Sequence, residues 1–237
     1  MKLGYYSYTS HLEHDVGDIH PEHPMRVIAI NHQLECMGIL HGAHLGSCHQ
    51  VQRQDLVRAH KEGYVDQLEL MSPTNGSILA NVDTPMAVGS LSVAYQAAGC
   101  VIEALDDLMQ NKVDRAFCAV RPPGHHAEKN KTMGFCFLNN VAIAAKKAQQ
   151  HYGLARIAVI DFDAHQGNGT IDILADDPAF LICSSFQHPS FPFSHWRNIH
   201  ENVINTPLNE GSSGIDMRRA VEAQWLKQLH DFKPQLT

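Results

Sequence analysis

The chain is 237 residues long, 44% hydrophobic and 18% charged, the balance of an ordinary globular domain and not of a disordered or fibrous chain. A net charge of −7 without any basic run excludes a nucleic-acid surface built on phosphate neutralisation. No apolar stretch approaches the roughly 20 residues of a membrane helix, and the opening MKLGYYSYTSHLEHD lacks the charged-then-apolar order of a secretory signal, so a cytoplasmic protein is expected.

In chain order, residues 1–85 read as loop-rich, with HPEHP at 20–24 and SPTNGS at 72–77 marking turns. Nine of the 17 histidines fall before residue 61, and solvated loops account for most of those. Residues 86–110, rich in alanine and leucine, predict a helix. VDRAFCAV at 113–120 predicts a strand that Arg121-Pro122-Pro123-Gly124 ends abruptly. Residues 138–152 predict a second helix, stopped by Gly153 as its C-terminal cap. ARIAVIDF at 155–162 and AFLICSS at 179–185 predict buried strands around a short helix at 169–177. Residues 215–232 predict an amphipathic helix with Met217, Val221, Trp225 and Leu229 on one stripe. Lys233-Pro234 is a turn, and Gln235-Leu236-Thr237 reads as the first residues of a further strand. The expectation is a single domain over 1–237, incomplete at its C-terminal end. The six cysteines form no C-x-x-C pair, so small buried apolar residues are expected in place of disulfides or a zinc knuckle.

Strands alternating with helices imply an α/β fold in three layers, a mostly parallel sheet with helices on both faces. Chemistry in such folds collects in the loops after the strands. Two loops there carry it: RPPGHHAE at 121–128 and DFDAHQGN at 161–168. The two-residue period of a strand points Asp161, Asp163 and His165 to one side, and Phe162 and Ala164 to the other. Two carboxylates and an imidazole so placed need a cation, and zinc suits mixed oxygen and nitrogen ligands; a hydrogen-bonded loop with a capping aspartate is the alternative. Beside a metal, a neutral imidazole of the His125–His126 pair can take a proton from activated water. Asp161 is the natural carboxylate to hold one imidazole's tautomer, and Asn168 could orient the other through its amide oxygen.

RPPGHHAE, GFCFLNNVAIAA (134–145) and VIDFDAHQGNG (159–169) together resemble the zinc-dependent histone deacetylase superfamily, with Asn168 and the HPEHP loop similar to its class II and bacterial members. The resemblance implies an arginase/deacetylase-like fold and zinc-dependent hydrolysis of an acetylated amine to free amine and acetate. It implies His125 and His126 as catalytic, the second as main base and acid, with Asp161 behind the first. Asp163 and His165 match zinc ligands. A structural potassium ion near Asp161, Asp163 and His165 is implied, with Ser184 or Ser185 beside it. Phe135 and Phe191 match the aromatic tunnel walls, Gly134 offers a carbonyl to substrate, and Asp83 matches the rim aspartate that grips the substrate backbone. Plain core packing is the other reading of the phenylalanines, and an N-cap the other reading of Asp83.

Two departures follow. The third zinc ligand and the carbonyl-polarising tyrosine have no matching motif before Thr237, and SFPFSHW at 190–196 stands where many relatives have a glycine-bearing turn. Implied partners are an acetylated peptide, protein or polyamine, without nucleic acid or membrane, and a homo-oligomer is compatible with the sequence. Two further readings stay open: a catalytically impaired protein that binds acetylated ligands, and metal sequestration by the histidine-rich first 60 residues.

Overall fold

A computed structural model of the chain describes residues 1–193, 197 and 199–237. The chain divides into two compact units, Met1–Lys147 and Ala148–Thr237.

In the first unit, strand β1 (Leu3–Tyr6) lies between β2 (His44–Leu45) and β5 (Arg115–Cys118), both parallel to it. Between these run helices α1 (Met25–Cys36), α2 (Arg53–Leu56), α3 (Glu62–Met71) and α4 (Ser90–Met109), and an antiparallel hairpin of β3 (Ser77–Asn81) and β4 (Thr84–Ala87). The first 85 residues therefore hold more regular structure than their polar composition suggests. Helix α1 starts just after Pro24, whose fixed φ suits a helix start, and packs Ile30 and Leu34 with buried Val27 against Tyr5 and Ala119. The predicted helix from Met86 begins later. Met86 and Ala87 belong to β4, and left-handed Gly89, at φ +87°, turns the chain into α4.

Helix α4 forms the core of this unit, burying Val93, Ala94, Ala97, Ala98, Ile102 and Leu105. Its face is so close to the preceding chain that a Cβ at Gly99 would lie 1.7 Å from the His49 carbonyl oxygen. That approach brings Cys48 and Cys100 into a disulfide, with Cα atoms 4.3 Å apart. The expectation of no disulfide is corrected for this pair, which spans 52 residues of sequence and leaves no local signature. Cys136 and Cys183 are buried free thiols, as expected, whereas Cys36 is exposed. Three of the early histidines, His11, His14 and His60, are buried and not solvated.

The unit boundary falls within α5 (Asn140–Gln150). Gly153 ends that helix at φ +70°, donating its N–H to Gln149 O while the Leu154 N–H closes on Ala148 O, the glycine cap the sequence predicts. The second unit is a parallel sheet, β6 (Ile157–Asp161), β7 (Phe180–Gln187) and β8 (Val203–Leu208), with β7 central and its first seven residues buried. A strand with both neighbours bonded and both faces covered reads as a continuous apolar run, which is why β6 and β7 are legible. Strand β8 is not: Asn205, Thr206 and Pro207 break its apolar pattern.

Helix α6 (Asn168–Leu174) follows β6. The predicted amphipathic helix divides into α7 (Gly214–Gln224) and α8 (Leu226–Phe232) at Trp225. Bonds from Trp225 N to Val221 O and from Leu229 N to Trp225 O, both 2.8 Å, carry the helical ladder through the junction. Val221, Trp225 and Leu229 of the predicted stripe pack on Leu181 and Cys183, and the indole N–H donates to Thr206 Oγ1 at 2.8 Å. The last residues touch β6 through one isolated bridge: Leu236 pairs with Ile157 in parallel, and Ala158 N donates to Leu236 O at 2.9 Å. Among the described residues no helix is long and apolar enough to cross a membrane.

Candidate functional site

The loop after β5 carries the paired histidines, and its backbone is held by side chains from elsewhere in the first unit. Ser7 Oγ donates to Ala119 O at 3.0 Å, Arg26 Nη2 to Val120 O at 2.9 Å, and the Tyr8 hydroxyl to Arg121 O. Asn140 Nδ2 reaches Pro122 O at 3.4 Å and Asn139 Nδ2 reaches Ala127 O at 3.2 Å. His60 closes the set. Its Nε2 accepts the Asn139 N–H at 3.0 Å, so in the neutral ring Nδ1 carries the proton and donates it to Glu128 O at 2.9 Å. Asn139 Oδ1 also accepts the Ala142 N–H at 3.0 Å, the bond of an N-cap residue, which ties the loop to the start of α5. Gly124 sits where a Cβ would meet Asn140 N at 2.7 Å and Leu138 O at 2.8 Å. The result is a rigid mount for His125 and His126, whose ring centroids are 4.0 Å apart, with His126 buried.

Gly134 lies against His126. A Cβ there would stand 2.3 Å from His126 Cδ2, and its φ is +53°. The next residue, Phe135, keeps a positive φ of +67° without being glycine, a conformation that persists only when neighbours impose it. Asp83 and Thr84 impose it here: the Asp83 carboxylate accepts the Gly134 N–H at 3.1–3.2 Å, and Thr84 Oγ1 accepts the Phe135 N–H at 3.2 Å. Asp83 occupies the β3–β4 turn and not a helix start, so the N-cap reading is corrected. Its carboxylate has more acceptor sites than these bonds use. The His20 ring stands edge-on to Phe135 at 4.6 Å, and the Gly134 carbonyl accepts the Cys136 thiol at 3.2 Å.

A buried polar cluster underlies this loop. Arg121, with no exposed surface, donates from Nε to Glu22 Oε2 at 2.7 Å, from Nη1 to His11 O at 2.6 Å and His14 O at 2.7 Å, and from Nη2 to Glu22 O at 3.3 Å. His14 Nδ1 lies 2.7 Å from Ser90 Oγ, which takes the Ala87 N–H at 2.9 Å. Burial, reinforced by the Arg121 charge, pushes His14 down to about 3, and the same causes lower His11.

The D-x-D-x-H set belongs to the second unit and leaves the sheet sooner than the period-two pattern predicts. Strand β6 ends at Asp161. Beyond it, the Asp163 N–H donates to Asp161 Oδ1 at 3.1 Å and the His165 N–H to Asp163 Oδ1 at 2.7 Å. Each aspartate thus folds the chain by accepting from the backbone two residues on. Asp163 and His165 face each other, with Nδ1 and Oδ1 3.4 Å apart and both side chains about half exposed (52% and 47%). Two ligands of a tetrahedral zinc with bonds near 2.0–2.1 Å stand about 3.3–3.4 Å apart, so the pair fits that ion in chemistry and in spacing. Among the described residues no group of three or more His, Cys, Asp or Glu side chains forms a metal-holding cluster. Phe191 stands edge-on to His165 at 5.9 Å. Asn168 is fully buried at the start of α6, and buried Gln166 Nε2 donates to Asn205 Oδ1 at 2.7 Å. Ser184 pairs in register with Asp161, and its Oγ is buried with no hydrogen-bond partner among the described residues. Residues 194–196 of the SFPFSHW segment lie outside the described residues.

Within each unit, then, the sequence-predicted residues meet: His125, His126, Gly134, Phe135 and Asp83 in the first, Asp161, Asp163, His165 and Phe191 in the second. Residue-type reasoning misses the groups that hold the histidine loop of the first unit, Ser7, Tyr8, Arg26, His60 and Arg121. Of the supporting set, the Asn139-Asn140 pair before a helix offered a signal, since asparagine favours the N-cap.

Known proteins match this chain closely. A histone deacetylase-like amidohydrolase of Pseudomonas aeruginosa is 33% identical over 224 residues, 92% of this chain and 59% of that protein. A protein of Danio rerio named polyamine deacetylase HDAC10 is 31% identical over 242 residues, 91% of this chain and 34% of that one. The chain therefore spans about a third to three-fifths of these relatives' length. The crystal structure of the HDA15 HD domain superposes with a TM-score of 0.90 at 27% identity, over 98% of this chain and 70% of that one, so the α/β fold is that of the deacetylases. A family model described as the histone deacetylase domain matches residues 20–237, and the chain belongs to that family.

Proposed function

We propose that this chain belongs to a zinc-dependent hydrolase of acetylated amines, with acetyl-lysine of a peptide or protein as substrate. The observation that carries the proposal is the spacing of Asp163 and His165, 3.4 Å between Oδ1 and Nδ1, in a chain of the deacetylase family whose histidine pair sits on a rigid mount. Asp163 and His165 would hold the zinc. When bound, zinc supplies Lewis-acid polarisation of the amide carbonyl and eases water ionisation.

The remaining work falls to the chain's own side chains. His126 takes a proton from the attacking water at a ring nitrogen and returns it to the leaving amine nitrogen, so each turnover restores the imidazole. His125, Asp161 and Asn168 are assigned to fixing ring orientation and tautomer, the carboxylate and the amide oxygen being acceptors suited to imidazole N–H groups. Phe135 and Phe191 clasp the alkyl stem, the Gly134 carbonyl accepts from the amide N–H, and Asp83 accepts from the substrate backbone. A structural potassium ion beside Asp161, Asp163 and His165 is part of the same reading. The relative named a polyamine deacetylase favours a second reading, an acetylated polyamine as substrate; lacking a peptide backbone, it would gain nothing from Asp83.

In excess zinc the chain should release acetate from an acetylated amine, at about 10 s⁻¹ for a typical enzyme turnover. Acetyl-lysine peptide and N-acetylputrescine, compared side by side, separate the two substrates. Release must vanish in His126→Ala. Equal release by that variant refutes the base assignment, and no release from either substrate by the unmodified chain refutes the hydrolase reading.

A further inference from the structure

We infer that Arg121 is a positioning residue whose guanidinium, through Glu22, couples the loop carrying His125 and His126 to the His20–Phe135 wall. The inference rests on the reading of His126 as base and Phe135 as substrate contact.

Arginine is almost never fully buried unless paired, yet Arg121 has no exposed surface. Its partner Glu22 is also buried, at 2.7 Å from Nε. A buried ion pair is weak evidence of stabilisation, since apolar residues of similar volume often serve as well. Its planar fork does fix direction. Here the fork joins specific places. The Arg121 backbone lies four residues before His125, and its carbonyl is taken by the Tyr8 hydroxyl. Its two Nη groups gather the carbonyls of His11, His14 and Glu22. The Glu22 N–H donates to His20 Nδ1 at 3.1 Å, and the His20 ring meets Phe135 at 4.6 Å. Arg26 adds a parallel tie, 2.9 Å to Val120 O and 3.5 Å to Glu22 Oε1. A run of bonded groups thus leads from the root of the histidine loop to the aromatic side chain beside Gly134. A lysine would keep the charge and lose the fork.

The test compares the unmodified chain with Arg121→Lys and with a double variant, Arg121→Met with Glu22→Met, which fills the space with apolar groups. Residue-resolved amide exchange and the ring signals of His20, His126 and Phe135 are read by NMR. Both variants should exchange amides 124–128 about 10-fold faster and shift all three ring signals, while β1 and β5 amides stay within about twofold. If the double variant restores unmodified loop exchange and ring signals, the pair is only packing and the inference fails. Unchanged signals in Arg121→Lys overturn it equally. Because neither readout needs turnover, a chain inactive on acetylated substrates leaves this test standing, and an active chain with an unmoved loop overturns this inference alone.

Discussion

Gly134→Ala puts the contact behind the histidine pair to a quantitative test. The added methyl meets two separate costs. Gly134 has a φ of +53°, and an L-residue in the left-handed region loses about 1–2 kcal/mol. The new Cβ would also lie 2.3 Å from His126 Cδ2 and 2.7 Å from Cγ, against an ordinary carbon contact of about 3.5–4.0 Å. The imidazole must therefore retreat by more than about 1 Å, into a core where overpacking costs about 1–3 kcal/mol. The sum is about 2–5 kcal/mol. Gly76→Ala is the matched control in the same unit: its φ is +59°, and nothing lies within 4 Å of the position a Cβ would take. It should cost only the backbone share, about 1–2 kcal/mol. Urea unfolding of both variants, compared at equal slopes, isolates the contact as their difference, and the His126 ring signal should move only in Gly134→Ala. In the zinc-supplemented acetate assay the displaced base should lose about 10²-fold. Equal unfolding midpoints, or an unmoved His126 signal, would show that Gly134 does not bear on the histidine.

Two further outcomes follow from the buried histidines. His60→Ala strips a partner from the Glu128 carbonyl and from the Asn139 N–H, each about 1–3 kcal/mol when left unsatisfied; the free energy of unfolding should fall by about 2–6 kcal/mol, whereas a loss below about 0.5 kcal/mol would show that the bridge is dispensable. His14 gives the pH dependence. Its folded value near 3 lies below the ordinary 6.5, so on acidification the unfolded chain takes the proton first and stability falls with pH. The contribution is fully present above about 6.5 and declines steadily down to about 3, roughly 2 kcal/mol between pH 7 and pH 5. His14→Asn, which cannot titrate, should flatten that part of the stability profile, and an unchanged slope would mean that the folded ring takes its proton at the ordinary pH.

What could be read from the sequence follows the range of the interactions. The cap at Gly153, the buried runs of β6 and β7, and the Val221–Trp225–Leu229 stripe are set by neighbours a few residues away, and each is where the pattern puts it. In the D-x-D-x-H run the two-residue period failed because aspartate side chains compete with the sheet for backbone N–H groups. They win once the strand has no further pairing beyond Asp161. Helix α1 went unread although Val27, Ile30 and Leu34 keep helical spacing, because only Val27 is fully buried. Least legible were the groups that hold the histidine loop. Ser7 reaches Ala119 across 112 residues of sequence, Tyr8 reaches Arg121 across 113, Arg26 reaches Val120 across 94 and His60 reaches Glu128 across 68. A motif names the chemistry because the reacting groups must be particular residues. The mount has no such constraint, since any donor that the fold brings to the right carbonyl will serve. In this chain the mount consists of a serine, an arginine, a tyrosine, two asparagines and a histidine, and only the fold shows that they act on one loop.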